Sequence, residues 1–224
     1  MTVSVPIVAG ALRGRRWLPA SGGKVLRVLL GSYEPEQTTL FQRCLSPGDV
    51  AFDVGAHVGY YTLLAATRVG MAATVFAFEP NPRNLRHLRH HVEINGLENV
   101  EIVPVAVADA VGVARFEQGS GSGTGHLGDA GALEVPTLTL DAFVAQRGVV
   151  PQVIKIDVEG AELRVLHGAR QLLQDHHPVL FLSTHGPGVH AACTALLRES
   201  GYRVEAVLGT DPDAAAELLC IPSS

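Results

Sequence analysis

From Asp49 onward, short apolar runs alternate with segments of helical periodicity, and this alternation restricts the fold more than any other feature. The run VAFDV, residues 50–54, is almost continuously apolar, as expected of a strand that is buried on both faces. The segment 81–96 contains the clearest helix: Asn81 can cap it, Pro82 suits its first turn and Gly96 ends it. The pattern predicts an α/β fold with a mainly parallel sheet and helices on both faces.

Further elements follow in the same rhythm. The strands are predicted to be ATVFAFEP, VEIVPVAVAD, QVIKIDVEG and PVLFLST, with YRVEAVL and ELLCIPS as a closing pair. After the fourth of the parallel strands, one helix is expected to run through Leu163, Leu166 and Leu172. The glycine-rich segment 119–131 is predicted to be a flexible loop without regular structure.

Composition and charge exclude several classes of protein. The chain has 224 residues and a formal charge of −5, which argues against nucleic acid as a partner. No apolar run reaches the roughly 18 residues of a membrane span, and no signal-peptide pattern is visible, so we expect a cytoplasmic protein. Cys44, Cys193 and Cys220 are widely spaced and are expected to be core residues rather than a disulfide or zinc framework.

The stretch DVGAHVGYYT, residues 53–62, contains the most informative turn. Gly55 and Gly59 would let a ligand approach the backbone, but their spacing is not that of a diphosphate-binding GxGxxG turn. Asp53 would repel a diphosphate and suits a cationic or hydrogen-bond-donating ligand. Glu79 is placed to accept two ribose hydroxyl groups. A cationic nucleoside with ribose and no diphosphate is S-adenosylmethionine.

Polar residues also end the other predicted strands, where ligands of open parallel sheets bind. These residues are Ala108 and Asp109 with the third strand, Asp157 and Glu159 with the fourth, and His185 with the fifth.

The motifs DVGAHVGYYT, AFEPNPRNLRHLRHHVEINGL, VAVAD and VIKIDVEGAE together resemble the FkbM-type S-adenosylmethionine-dependent methyltransferases, in order, over residues 31–186. The resemblance implies a class I methyltransferase fold of seven strands, the last antiparallel, within one compact domain. It also implies O-methylation of a natural product, sugar or lipid. Family members often carry an acidic residue before the histidine of the segment that reads STHG here.

The resemblance implies a cofactor pocket of Asp53, Gly55, Gly59, Glu79 and residues 108–109. Asp53 is expected near the aminoacyl end, and Asp109 either accepts from the adenine amine or is a turn residue. Residues 1–48 are expected to cover the cofactor, with a contact from Glu34 or Gln37, and residues 49–224 to form the Rossmann-like domain.

Methyl transfer to a hydroxyl needs an aligned acceptor oxygen and a base that takes its proton. His185 is the predicted base, and Asp157 and Glu159 would orient it or the substrate. Alternatively these three residues hold a divalent cation, although no metal is predicted. Glu162 could equally be a solvent-facing carboxylate of the first helical turn.

Other histidines receive simpler interpretations. His57 is expected to be a packing or surface residue, and His87, His90 and His91 to lie on a solvated helix face. The competing functions are an NAD(P)-dependent oxidoreductase and a non-catalytic nucleoside-binding domain. The expected partner is a small hydroxyl-bearing acceptor, and the oligomeric state, a homodimer among others, is left open.

Overall fold

The structure is a computed structural model that describes residues 3–22, 24–117, 125–128 and 131–223. Its strands are, in chain order, β1 Val5–Pro6, β2 Arg16–Trp17, β3 Ala51–Val54, β4 Val75–Phe78, β5 Val100–Val103, β6 Ala106–Val107, β7 Gly112–Glu117, β8 His126–Leu127, β9 Leu133–Leu138, β10 Val153–Ile156, β11 Val179–Ser183, β12 Tyr202–Ala206 and β13 Glu217–Pro222. Its helices are α1 Val25–Leu29, α2 Pro35–Cys44, α3 Tyr60–Val69, α4 Pro82–Ile94, α5 Leu140–Arg147, α6 Glu162–His167, α7 Arg170–His176 and α8 Pro187–Glu199.

The main sheet has seven strands in the order β12-β13-β11-β10-β3-β4-β5. Strands β11, β10, β3, β4 and β5 are parallel, and β13 runs antiparallel to both of its neighbours, β11 and β12. The predicted α/β class and the predicted antiparallel last strand are therefore confirmed.

Continuous apolar strands form the centre of this sheet, because helices cover both of its faces. Every residue of β3, β4 and β10 is buried. On one face, Phe52 packs edge-on against Phe76, Phe78 and Phe143, with ring centroids 5.4 to 5.5 Å apart. This packing fixes the carboxyl ends of β3 and β4 beside each other.

The third predicted strand is in fact two strands, and the prediction was wrong on this point. Strand β5 ends at Val103, and Pro104, which has no N–H to donate to a ladder, follows it. The chain then leaves the main sheet, and β6 joins a second sheet of order β6-β9-β7-β8. Ala108 donates its N–H to the Leu138 carbonyl at 2.8 Å in this second sheet.

Part of the glycine-rich segment is ordered against this second sheet. Residues 118–124 and 129–130 lie outside the described residues. His126 and Leu127, however, form β8 and pair antiparallel with Glu117 and Phe116. The prediction of a segment without regular structure is therefore wrong for residues 126–127.

The single helix predicted through Leu163 and Leu172 is also divided, into α6 and α7. Gly168 ends α6, and a Cβ at this position would overlap the Ala108 carbonyl oxygen. The close approach of the second sheet thus requires glycine where the sequence pattern predicted an unbroken helix.

The described residues before position 49 pack onto the same core as the sheet. Ile7, Trp17 and Phe41 are buried in one cluster with Ala51 and Phe181 of the main sheet. Two of the cysteines are core residues, since Cys193 and Cys220 are fully buried, while Cys44 is half-buried. Within the described ranges, no helix is both long and apolar enough to cross a membrane.

Candidate active site

A cavity of about 460 Å³ opens at the carboxyl ends of the parallel strands. Its floor includes Asp53, Glu79 and Asp157, which follow or end three neighbouring strands. Trp17 and Glu34 of the N-terminal segment close one side. The topology therefore brings the predicted strand-end residues of β3, β4 and β10 to one site.

Two glycines shape the turn after β3, and of the two only Gly55 lines the cavity. Gly55 lines the cavity at φ +82°, and a Cβ there would overlap the Asp157 carbonyl oxygen. Gly59 lies outside the cavity lining at φ +99°, and a Cβ there would press on the Leu88 side chain of α4. The positive φ favours glycine at position 59, and the contact with Leu88 adds a smaller constraint.

Glu79 is buried and held by donors on both of its oxygens. Its Oε2 accepts from the His57 N–H at 2.8 Å, and its Oε1 accepts from the Asn81 N–H at 2.8 Å and from Asn84 Nδ2 at 3.2 Å. Each carboxylate oxygen has about two acceptor sites, so Oε2 keeps one for a ligand hydroxyl. Burial raises the pKa of Glu79 to about 7 against the lowering effect of these hydrogen bonds.

His57 has a larger role than packing. It lines the cavity at φ +52°, a left-handed conformation that aims its backbone N–H at Glu79. Nothing in the sequence other than its place between the two glycines signals this role.

Asp53 is buried at the end of β3 and lines the cavity. Thr62 Oγ1 donates to its Oδ2 at 2.5 Å. Burial raises the pKa of Asp53, and the Lys155 ammonium group opposes this rise. Asp53 is thus a carboxylate that a nearby buried cation helps to keep ionised.

Lys155 is a site residue that sequence reasoning missed. Its side chain is buried, its Nζ donates to Asp157 Oδ2 at 3.0 Å and lies 4.8 Å from the centroid of the Tyr61 ring. Burial lowers the pKa of Lys155, but the carboxylates of Asp157, Asp53 and Glu217 outweigh burial and raise it. The available signal was a lysine inside the apolar run VIKI, because a buried lysine needs paired charge.

His185 lies between carboxylates at the mouth of the cavity. Its Nδ1 is 2.8 Å from Glu162 Oε1, and its Nε2 is 3.5 Å from Glu159 Oε2 and 3.8 Å from Asp157 Oδ1. The hydrogen bond to Glu162, together with the two other carboxylates, raises the pKa of His185 to about 9 although burial opposes this.

Glu162 is fully buried, so its interpretation as a solvent-facing carboxylate was wrong. Its Oε1 also accepts from the Gly160 N–H at 2.9 Å. The sequence placed Glu162 at a helix start, where exposure is common, and could not show that β11 delivers His185 against it.

Asp157, Glu159 and His185 are the groups from which a cation site would be built. One donor atom from each lies within 4.8 Å of the other two. Carboxylate and imidazole donors suit Mg²⁺ or Mn²⁺. A protonated imidazole between two carboxylates gives the same spacing, so the geometry does not require a metal.

Glu34 of the N-terminal segment lines the cavity, and its predicted contact with the cofactor stays a prediction. It accepts from the Tyr61 hydroxyl at 2.8 Å, and Lys24 Nζ lies 3.9 Å from its Oε1. Gln37, the other predicted contact, is buried outside the cavity lining.

The structure does not bring Ala108 and Asp109 to the cavity. Ala108 is fully buried in the second sheet, and Asp109 accepts from Arg164 Nε at 2.9 Å at the surface. The departure of the chain from the main sheet after Val103 is the reason, and residues 105–107 line the cavity instead.

The expectation of a solvated face for His91 was also wrong. His91 is fully buried and stacks on Trp17, with ring centroids 3.8 Å apart. Its Nε2 accepts from the Leu18 N–H at 3.0 Å, and its Nδ1 lies 2.7 Å from the Val58 carbonyl oxygen. Burial lowers the pKa of His91 to about 4, so this residue is a neutral link between α4 and the N-terminal segment.

Comparison with known proteins identifies two methyltransferases whose sequences are similar to most of this chain. The hexuronic acid methyltransferase AglP of Haloferax volcanii is 31% identical over 163 residues, which cover 70% of this chain and 64% of that protein. The 31-O-demethyl-FK506 methyltransferase FkbM of Streptomyces tacrolimicus is 29% identical over 205 residues, covering 72% of this chain and 75% of that protein. The chain thus spans less than two thirds of AglP.

Solved structures agree on the fold. A methyltransferase FkbM from Methylobacillus flagellatus matches with a TM-score of 0.57 and 21% identity, over 79% of this chain and 44% of that one. A precorrin-6y C5,15-methyltransferase from Geobacter metallireducens matches with a TM-score of 0.54 and 14% identity, over 85% and 89%. The family profile described as the methyltransferase FkbM domain matches residues 53–204, more than half of the chain. The chain therefore belongs to the FkbM methyltransferase family.

Proposed function

We propose that this protein transfers a methyl group from S-adenosylmethionine to a hydroxyl oxygen of a small acceptor. The observation that carries the proposal is Glu79, a buried carboxylate that lines the cavity beside a glycine turn and keeps one acceptor site open. Such a carboxylate can accept one hydroxyl group of a ribose, rather than the two predicted. When bound, S-adenosylmethionine supplies an activated methyl group on a sulfonium.

The charges of the cavity support a cationic cofactor. Among the described residues, the cavity is lined by two lysines, Lys24 and Lys155, and by six carboxylates, those of Glu34, Asp53, Glu79, Asp157, Glu159 and Glu217. We assign Asp53 and Glu34 to the aminoacyl end, and the apolar residues 105–107 to the adenine ring in place of Ala108 and Asp109. Gly55 contributes by letting the turn close against β10.

His185 and Asp157 are assigned the acceptor side. His185 lines the cavity, and its Nε2 atom would take the hydroxyl proton as the oxygen attacks the methyl carbon in line. Asp157, fixed through Oδ2 by Lys155, keeps Oδ1 toward the imidazole and stabilises the imidazolium that forms. Glu159 is assigned to the substrate.

Relatives suggest the class of acceptor. One is named for hexuronic acid and another for a demethylated natural product, so we assign a hydroxyl of a sugar or natural product. Phe116 and Leu127 of the second sheet add an apolar wall to the polar mouth, which suits an acceptor with both kinds of surface.

The cofactor assignment is tested by calorimetric titration with S-adenosylhomocysteine. The wild-type protein should bind it and should not bind NADH. Glu79→Gln replaces the ionised acceptor with a neutral amide. The affinity for S-adenosylhomocysteine should fall about 10- to 100-fold, because a hydrogen bond to a charged group contributes about this much to binding. Affinity should also fall below pH 7, because Glu79 takes up a proton there.

The exposed Glu98→Gln serves as a matched control and should bind as the wild type does. The melting temperature of Glu79→Gln shows whether weaker binding comes from the lost ligand contact or from unfolding of the turn around residue 79. Binding of NADH, or unchanged affinity in a folded Glu79→Gln protein, would contradict the cofactor assignment. Acceptor screening with sugars and natural products then follows, in EDTA and with added Mg²⁺.

The pH dependence of methyl transfer tests the base. Only neutral imidazole accepts a proton, and the pKa of His185 is about 9. We expect kcat/KM to rise about tenfold per pH unit up to about pH 9 and then to level. His185→Gln should lower the rate and remove this rise, whereas His90→Gln on α4 should not. A rate that is flat from pH 6 to 9 in EDTA would rule out His185 as the base.

A further inference from the structure

The buried carboxylate of Glu162 is not explained by helix formation alone. It stands in the first turn of α6 and is fully inaccessible to solvent. Within the described part of the chain, Oε1 contacts the Gly160 N–H and His185 Nδ1, and Oε2 has no hydrogen-bond partner. Burying a carboxylate with an unsatisfied oxygen is costly unless a charged partner compensates. His185 is that partner.

The contact also determines which nitrogen of His185 is available. A carboxylate accepts, so the short contact to Glu162 places a proton on Nδ1. The ring is thereby turned so that Nε2 faces Glu159 and Asp157 at 3.5 and 3.8 Å, distances too long for good hydrogen bonds. In the neutral ring, Nε2 therefore carries the lone pair that can accept the proton of an acceptor hydroxyl.

We propose that Glu162 is the positioning residue of the acceptor site: it fixes the orientation and the Nδ1 proton of His185 and so directs Nε2 at the acceptor oxygen. The proposal rests on the proposed methyl transfer, because it gives a role in that reaction to a residue that need not touch either substrate. The arrangement is a carboxylate–histidine pair whose second nitrogen does the chemistry.

Other charged groups around His185 must be distinguished from Glu162. Asp157 and Glu159 face Nε2 from the loop after β10, and Lys155 neutralises part of the charge of Asp157. Burial raises the pKa of Glu159, and the imidazoles of His185 and, from the second sheet, His126 oppose this rise. Of the described residues, only Glu162 combines hydrogen-bond distance to His185 with complete burial.

The first test is nitrogen NMR of His185 in the full-length wild type, Glu162→Gln and Glu162→Asp, in EDTA. In the wild type, the ring should carry a proton on Nδ1 at every pH and titrate near pH 9. In Glu162→Gln the titration should move down by at least about one pH unit, and the neutral ring should become a mixture of tautomers. His185→Gln assigns the signals.

Glu93→Gln provides a matched control, since the exposed Glu93 has Oε2 3.8 Å from His90 Nδ1 on α4 and the substitution should leave His185 unchanged. Glu162→Asp keeps the charge but shortens the reach, so it covers the case in which Glu162→Gln fails to fold. An unchanged tautomer and titration of His185 in whichever variant is folded would overturn the proposal.

The second test uses methyl transfer to the acceptor identified by screening. Glu162→Gln should lower kcat about 10- to 100-fold, leave the affinity for S-adenosylhomocysteine unchanged and move the acid limb of kcat/KM to lower pH. A loss of kcat without movement of that limb would indicate a merely structural role. Failure of the wild type to bind S-adenosylhomocysteine would instead reject the proposed function, while the NMR result would still decide whether Glu162 fixes the ring.

Discussion

Gly55→Ala is expected to abolish S-adenosylhomocysteine binding and to destabilise the protein severely. The new Cβ would overlap the backbone carbonyl oxygen of Asp157, and φ at Gly55 is +82°, a conformation that L-residues rarely adopt. The overlap is with backbone atoms, which cannot move aside as a flexible side chain can. The turn after β3 would therefore have to move away from the residues that follow β10. We expect a loss of about 3 kcal/mol or more in the free energy of unfolding, measured by urea denaturation.

Gly148→Ala is the matched control. Gly148 also has positive φ, +63°, at the end of α5, but a Cβ there meets nothing within 4 Å. Only the conformational cost remains, about 1 kcal/mol, and ligand binding should be unchanged. Equal losses in the two variants would show that the overlap with Asp157 is not what makes glycine necessary at position 55.

Lys155→Met is expected to have the second large effect. The ammonium group is buried and lies close to the carboxylates of Asp157, Asp53 and Glu217. Methionine preserves the packing but leaves these acids without their cation. Breaking a buried ion pair from one side costs about 3–5 kcal/mol, so the free energy of unfolding should fall by this amount at pH 8.

The loss should depend on pH with a definite sign. Without Lys155 the folded-state pKa values of Asp53 and Glu217, already raised by burial, rise further. The ionised carboxylates therefore destabilise the variant most at high pH, and the deficit shrinks as acidification protonates them. Urea unfolding at pH 8.0, 6.5 and 5.5 measures this change. The exposed Lys24→Met, the other lysine of the chain, should show a small loss at every pH, and a constant deficit in Lys155→Met would refute the charge argument.

Local periodicity was sufficient to predict much of the fold. The buried strand at 51–54 and the helix beginning at Pro82 are determined by residues close to one another in sequence. The predicted Asn81 cap is present, and its side chain accepts from the Arg83 N–H. The strand-end rule also placed Asp53, Glu79, Asp157 and His185 at one edge of the sheet, where all four line the cavity.

The misses share a physical cause, because each depends on a contact between segments distant in sequence. Pairing of Ala106 with Thr137 in the second sheet drew residues 108–109 away from the cavity. Stacking on Trp17 buried His91, and the residues that follow β11 brought His185 against the buried Glu162. Such contacts leave no periodic trace in either segment. A charged residue within an apolar run, as at Lys155, is the one local sign that the sequence offered.

The position of β13 has a consequence for synthesis of the chain. This strand follows β11 and β12 in sequence but lies between them in the sheet. A nascent chain that has emerged from the ribosome as far as Ala206 can pair β10 with β11, but one edge of β11 stays open. Strand β12 then has no strand to pair with. Such an edge is a site of intermolecular pairing until it is covered. The sheet can therefore be completed, and Glu217 can line the cavity, only after residues 217–222 have emerged from the ribosome.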